Sequence, residues 1–147
     1  MPQILALLAA NALTINQAHQ QLQCSLSSEN EGWFRLEIRN TSDTQFSGDI
    51  APVVNLSTAT DEIGDFWAPL DPYSGHSYGP NQSIWIKLEP GEMLKVRLDP
   101  RDLLWDLVFS SVWPNRPLNQ VVPTGRYVLY VALDGLGSYS NRLSFDW

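Results

Sequence analysis

Residues 123–134 read Pro123-Thr-Gly-Arg-Tyr127-Val-Leu-Tyr-Val131-Ala-Leu-Asp134, and this stretch decides the fold class. Tyr127, Leu129, Val131 and Leu133 recur at every second position, the period of a strand whose side chains alternate between two faces. Val128, Tyr130 and Ala132 make the other face mostly apolar too. A strand that is apolar on both faces is expected to be central in its sheet. The stretch starts at a Pro-Thr-Gly break and ends at Gly135-Leu-Gly137-Ser138, a turn by composition. A tyrosine at the mouth of such a strand can turn its hydroxyl back to the preceding corner. Tyr127 is expected to find its acceptor among residues 118–125.

Outward from that strand the same period recurs. Leu22, Cys24 and Leu26 alternate with polar residues, as do Phe34, Leu36 and Ile38. Ile84, Ile86 and Leu88 do the same, followed by Leu94, Val96 and Leu98 and the closing Leu143, Phe145 and Trp147. Ile50, Val53, Val54 and Leu56 are less regular, and Pro52 among them points to an edge or a bulge. Ser27 to Gly32, Asn40-Thr-Ser-Asp43 and Pro90-Gly91 are turn signals. About seven short strands separated by turns predict an all-β antiparallel sandwich over residues 20–147, within a single domain 1–147.

Three stretches depart from the period. Residues 57–81 carry Gly64, Gly75, Gly79, Pro69, Pro72 and Pro80 with no periodicity. A loop of that length inside a compact domain is usually functional or mobile. Residues 100–122 begin at Pro100-Arg-Asp-Leu-Leu-Trp105, where Asp99 can cap and Pro100 can take the first helical position. One or two helical turns are expected there, then a loop at Trp113-Pro-Asn-Arg-Pro117. In residues 1–19, Ile4, Leu8, Ile15 and the following Leu22 fall near a 3.6-residue period, with Ala12 between. Ala10-Asn-Ala12 has the form of a cleavage site, but no Lys or Arg precedes Arg35, so a packed helix is expected rather than a leader. Such a helix must cover a sheet edge, a sandwich end or a second copy of the chain. A homodimer through it is therefore among the expectations.

Composition removes several function classes. The 147 residues suffice for one domain and carry 16 acidic against 9 basic side chains, a net charge of −7. Lys87 and Lys95 are the only lysines. No basic stripe is present to displace counterions from nucleic acid or to sit on an anionic membrane surface. No apolar run approaches the ~20 residues that span a bilayer. A single cysteine, Cys24, excludes an internal disulfide and reads as a small inward-facing apolar side chain. Asn40-Thr-Ser42, Asn55-Leu-Ser57 and Asn81-Gln-Ser83 have the form of glycosylation sites, which carry little weight without a secretory signal. The compartment stays open, with the cytoplasm as the default.

Motifs that carry chemistry are each outweighed by a plainer reading. Gly75-His-Ser77-Tyr-Gly79 matches the G-x-S-x-G of a nucleophile elbow. That device needs a strand-to-helix turn and a later histidine, and the chain has no histidine after His76. Asp61, Glu62, Asp65 and Asp71 form a carboxylate cluster. Their spacing fits no EF-hand, and a solvated acidic loop accounts for them. A paired-carboxylate glycosidase would need a cleft for which a sandwich of this size has little room. Gly135-Leu-Gly137 is a hairpin turn without the strand-to-helix context of a phosphate loop. No enzyme activity, metal or cofactor is expected.

Several pieces together resemble a bacterial immunoglobulin-like domain. Phe34-Arg-Leu-Glu-Ile-Arg-Asn-Thr-Ser42 is similar to the strand and Asn-x-Ser turn with which many such domains begin. Leu88-Glu-Pro-Gly-Glu92 is similar to their L-x-P-G-E turn, and Pro123-Thr-Gly125-Arg-Tyr127 to the P-x-G-x-Y that leads into a central strand. Asn141-Arg-Leu-Ser-Phe145 resembles their closing strand. The resemblance covers about residues 22–147 and implies architecture. The Cys–Trp–Cys constellation of antibody domains is absent. Intracellular proteinase inhibitors of the BsuPI type share the Asn-x-Ser turn, a P-G-E-like turn, a Trp and the G-x-Y strand.

A rigid sandwich with long loops is the usual arrangement for a binding module. The chain has six Trp and five Tyr. Trp33, Trp85, Trp105 and Trp147 lie on or beside expected strands and read as core or edge cover. Trp67, Tyr73, Tyr78 and Trp113 lie in expected loops. Rings left in water are unusual unless a partner covers them. The expected recognition site is therefore Trp67, Tyr73, His76, Tyr78 and Trp113, presented to a protein partner, and a proteinase whose cleft the loop enters is one such partner. The alternative is a carbohydrate-binding module that stacks the same rings on sugar. The plainer account of the rings is that they fold inward and cap the sandwich.

Overall fold

The strand read at residues 123–134 is β9 (Arg126–Asp134), inside the larger of two antiparallel sheets. The computed structural model describes residues 21–58, 65–108, 110 and 112–147. The helix expected over residues 1–19, and a dimer through it, lie outside the described residues. In chain order the other strands are β1 (Leu22–Ser28), β2 (Phe34–Asn40), β3 (Phe46–Thr58), β4 (Phe66–Pro69), β5 (Ile84–Leu88), β6 (Met93–Leu98), β7 (Leu104–Leu107), β8 (Arg116–Pro117), β10 (Ser138–Tyr139) and β11 (Leu143–Asp146). One helical turn, α1 (Leu118–Val121), precedes β9. The smaller sheet runs β1-β2-β6. The larger runs β10-β9-β3-β4-β7-β8, with β11 also on β9 and β5 on β3. β3 spans both parts of that sheet, pairing β5 over Phe46–Ile50 and β9 over Ala51–Thr58.

The fold is all-β and antiparallel, and its additional strands are short ones. β4 lies within residues 57–81, so that stretch is not one loop. β7 follows a single 3-10 turn, Pro100–Asp102, which with α1 makes up the one or two helical turns expected over residues 100–122. Asp99 does cap it, its Oδ1 accepting from the Arg101 N–H at 3.0 Å. The helix ends there because Phe66 and Trp67 of β4 pair with Leu107 and Asp106. Pro52 is in an interior strand rather than at an edge. It falls where the β5 pairing has ended at Ile50↔Ile84 and the β4 pairing has yet to begin at Val53↔Pro69. Its carbonyl accepts from the Leu70 N–H at 3.0 Å.

The core lies between the sheets and is built by the period-two positions. Leu22, Leu26, Phe34, Leu36, Ile38 and Leu98 come from the smaller sheet, and Ile50, Val54, Leu56, Leu129, Val131 and Leu133 from the larger. Trp105 of β7 joins them fully buried. The open edge of β1 is stitched rather than bare, which a sheet edge requires to avoid pairing with another chain. The Asn141 side chain accepts from the Leu26 N–H and donates to the Leu26 carbonyl, both at 2.8 Å, and Ser138 Oγ donates to the Leu22 carbonyl at 3.0 Å.

Two local devices match their sequence signals. Tyr127 Oη donates to the Pro123 carbonyl at 2.6 Å, closing the expected corner. A bond of this kind contributes about 1 kcal/mol. Asn40 of the Asn-x-Ser turn is fully buried. Its Nδ2 donates to the carbonyls of Thr44 and Leu88 at 2.8 and 3.0 Å, and its Oδ1 accepts from the N–H and Oγ of Ser42 at 3.0 and 2.7 Å. A buried amide with both ends satisfied ties the β2–β3 turn to β5 without an orphaned polar group.

Candidate binding site

The segment after β4 folds into a closed loop. The Asp71 N–H donates to the His76 carbonyl at 2.7 Å and the Gly75 N–H to the Asp71 carbonyl at 2.9 Å. Asp71 Oδ1 accepts from the Tyr73 N–H at 2.9 Å, an Asx turn, and Ser74 Oγ accepts from the His76 N–H at 3.2 Å. Gly75 has φ +77° and lies against β6, where a Cβ would sit 2.2 Å from the Arg97 carbonyl oxygen. The loop is thus locked internally and seated on a strand edge.

Tyr73 is carried on this loop 60% exposed, and Trp85 of β5 is 54% exposed. They are neighbours: Tyr73 Oη donates to the Trp85 carbonyl at 3.1 Å. His76 is exposed on the same loop. A groove of about 340 Å³ runs between the loop and β6, lined by Trp33, Tyr73, His76, Lys95, Arg97 and Asp102 among others. The Arg97 guanidinium lies 4.2 Å from the Trp33 ring centroid. Glu29 meets both Arg35 at 2.8 Å and Arg97 at 3.4 Å. Asp99 is occupied by Arg101, with contacts of 2.8 and 2.7 Å, and this hydrogen-bonded pairing holds the guanidinium above its ordinary pKa. Lys95 and Asp102 make no ion pair among the described residues.

The other three expected site residues gather elsewhere. Trp67 of β4 and Trp113 stack edge to face, 5.6 Å between centroids at 84°. Tyr78 packs on Trp113 at 5.9 Å. Tyr78 is only 9% exposed, and burial, then the charge of Asp134, push its phenol above the usual pKa. Trp67 and Trp113 are half-buried. Asp106, paired in register with Trp67, is buried, bonds Arg116 at 3.0 Å and accepts from the Leu107 N–H at 2.7 Å, which holds the chain on either side of Trp113. The five residues therefore form an exposed pair, Tyr73 and His76, and a packed trio, Trp67, Tyr78 and Trp113. Trp85 was missed as a surface residue because a strand position was read as cover. Its alternation with the buried Ile86 and Leu88 was the signal that it faces water.

The remaining motifs resolve locally. Ser77 Oγ accepts from the Leu104 N–H at 2.9 Å, and residues 75–79 are neither preceded by a strand nor followed by a helix. Asp65 accepts from the Thr58 N–H and Asp71 caps its own loop, while Asp61, Glu62 and Gly64 lie outside the described residues. Among the described residues no group of three His, Cys, Asp or Glu side chains could hold a metal. Burial pushes the Cys24 thiol up to about 11, so it remains protonated at neutral pH. No described helix is long and apolar enough to cross a membrane. The chain matches no protein-family model and no curated protein.

Proposed function

We propose that the chain is a non-catalytic binding module of the immunoglobulin-like type, and that it presents Tyr73, with Trp85 and His76 beside it, to a protein partner. The observation that carries this reading is the internal hydrogen bonding of the Asp71–His76 loop together with the exposure of its ring. A loop ordered before binding loses little entropy on association, and tyrosine supplies large contact area with few rotatable bonds. Aromatic anchors surrounded by polar neighbours are the usual composition of a recognition hot spot. An internally hydrogen-bonded loop with an exposed ring also suits insertion into a proteinase cleft, the narrower form of the same reading. The sugar-binding alternative is weaker at this groove, because the Arg97 guanidinium takes up a Trp33 ring face that a pyranose would need.

The test is capture of a partner from source lysate by the tagged chain and by the Tyr73→Ala, Trp85→Ala double variant. Each true anchor is worth about 2 kcal/mol, so the double variant should lose capture. Retention of the same partner at full strength by the double variant overturns the reading. Saturable binding of neutral oligosaccharides, lost in the same variant, would favour the sugar alternative.

A further inference from the structure

A second groove, also about 340 Å³, opens on the outward face of the larger sheet and is independent of the Tyr73 surface. Val53 and Ala132, opposite each other in register on β3 and β9, supply apolar side chains to it. Asn55 and Trp67, opposite each other on β3 and β4, supply the next row. Asp134, two positions beyond Ala132, and Ser110 add polar groups. Asn55 donates one Nδ2–H to the Val53 carbonyl at 3.2 Å, which turns that end of the amide toward its own strand and leaves its Oδ1 as an acceptor. Among the described residues Asp134 makes no ion pair and no Lys, Arg or His lines the groove. The Trp67 ring is fixed in place by its edge-to-face contact with Trp113.

We propose that this groove receives a cation on a short apolar stem, the arginine or lysine side chain of a polypeptide partner. The apolar pair accommodates the stem. The indole face attracts a cation through its quadrupole, most strongly when both are shielded from water. The free carboxylate of Asp134 and the Asn55 carbonyl oxygen accept hydrogen bonds, and ammonium and guanidinium groups only donate them. An anion would meet an uncompensated carboxylate here. A neutral apolar ligand would leave the polar groups without partners. The whole chain, at a net charge of −7, draws cations toward it.

The probe is acetyl-Gly-Gly-Arg-Gly-Gly-amide, with its lysine counterpart and its citrulline counterpart, which keeps the shape without the charge. Amide NMR of the labelled chain is followed through millimolar titration. Saturable shifts confined to Asn55, Trp67, Ala132 and Asp134 are expected, with the citrulline peptide about tenfold weaker or more. Asp134→Asn should weaken the arginine peptide about fivefold while leaving the melting temperature unchanged, since an exposed carboxylate carries little of the fold. The proposal is overturned by absent saturation, by shifts spread over the acidic surface, by equal binding of the citrulline peptide, or by an unchanged Asp134→Asn titration. Tighter binding of free agmatine than of the arginine peptide overturns the polypeptide source. Shifts at Tyr73 and Trp85, recorded in the same spectra, report separately on the other surface.

Discussion

Replacing Trp105 by alanine is expected to lower stability by about 3–5 kcal/mol, the range for truncating a buried aromatic side chain. Trp105 is fully buried and has the largest volume among such side chains of the described residues. Its Nε1–H donates to the Pro100 carbonyl at 2.7 Å, across the 3-10 turn that starts the segment. Truncation leaves a cavity in a packed core and takes the indole donor from the Pro100 carbonyl, which keeps only the Leu103 N–H at 3.4 Å, two costs that add. For a chain of this size each kcal/mol moves the melting temperature by about 2–4 °C, so a drop of roughly 10 °C is expected. Trp105→Phe separates the two costs, since it keeps most of the volume and loses only the donor. Its denaturation midpoint should fall between those of the parent and the alanine variant.

Gly75→Ala is the second large effect, at about 2–4 kcal/mol, and it should act through the loop rather than the core. The backbone at φ +77° is left-handed, which costs a side-chain-bearing residue about 1–2 kcal/mol. The added Cβ would also lie 2.2 Å from a backbone oxygen of β6, and a backbone atom has no rotamer by which to move away. Gly91 is the control. Its φ is +78° with nothing within 4 Å of the added carbon, so Gly91→Ala should show the conformational cost alone. Hydrogen exchange reads the difference directly. The Asp71 and Gly75 amides should lose protection in Gly75→Ala and keep it in Gly91→Ala.

Both effects bear on what the sequence made legible. The period-two strands β1, β2, β5, β6 and β9 were readable because each alternates against a single core. Trp105 was readable as core or edge cover, but its strand was not. In Leu104-Trp-Asp-Leu107 two adjacent residues are buried, and Asp106 is buried only because Arg116 and the Leu107 amide meet it there. β4 was hidden for a related reason: Phe66-Trp-Ala-Pro69 exists as a strand through pairing with β3 and β7, which no local pattern records. The candidate site was half legible. Aromatic content marked the segment that carries Tyr73, but one-dimensional spacing does not tell a ring that meets another ring from one that meets water. Trp113 lies far along the chain from both Trp67 and Tyr78, and its contacts with them divide the trio from Tyr73 and His76.

That division is the central claim, and a comparison of melting temperatures for two double variants tests it most directly. Tyr73→Ala with Trp85→Ala removes rings that stand in water, so the melting temperature should stay within about 2 °C of the parent. Trp67→Ala with Tyr78→Ala removes packed rings and should lower it by roughly 10 °C. A first pair that falls as far as the second would mean that Tyr73 and Trp85 hold the fold together. A second pair that leaves the melting temperature unchanged would mean that the trio is not packing, and either result would contradict the assignment of recognition to the Tyr73 loop.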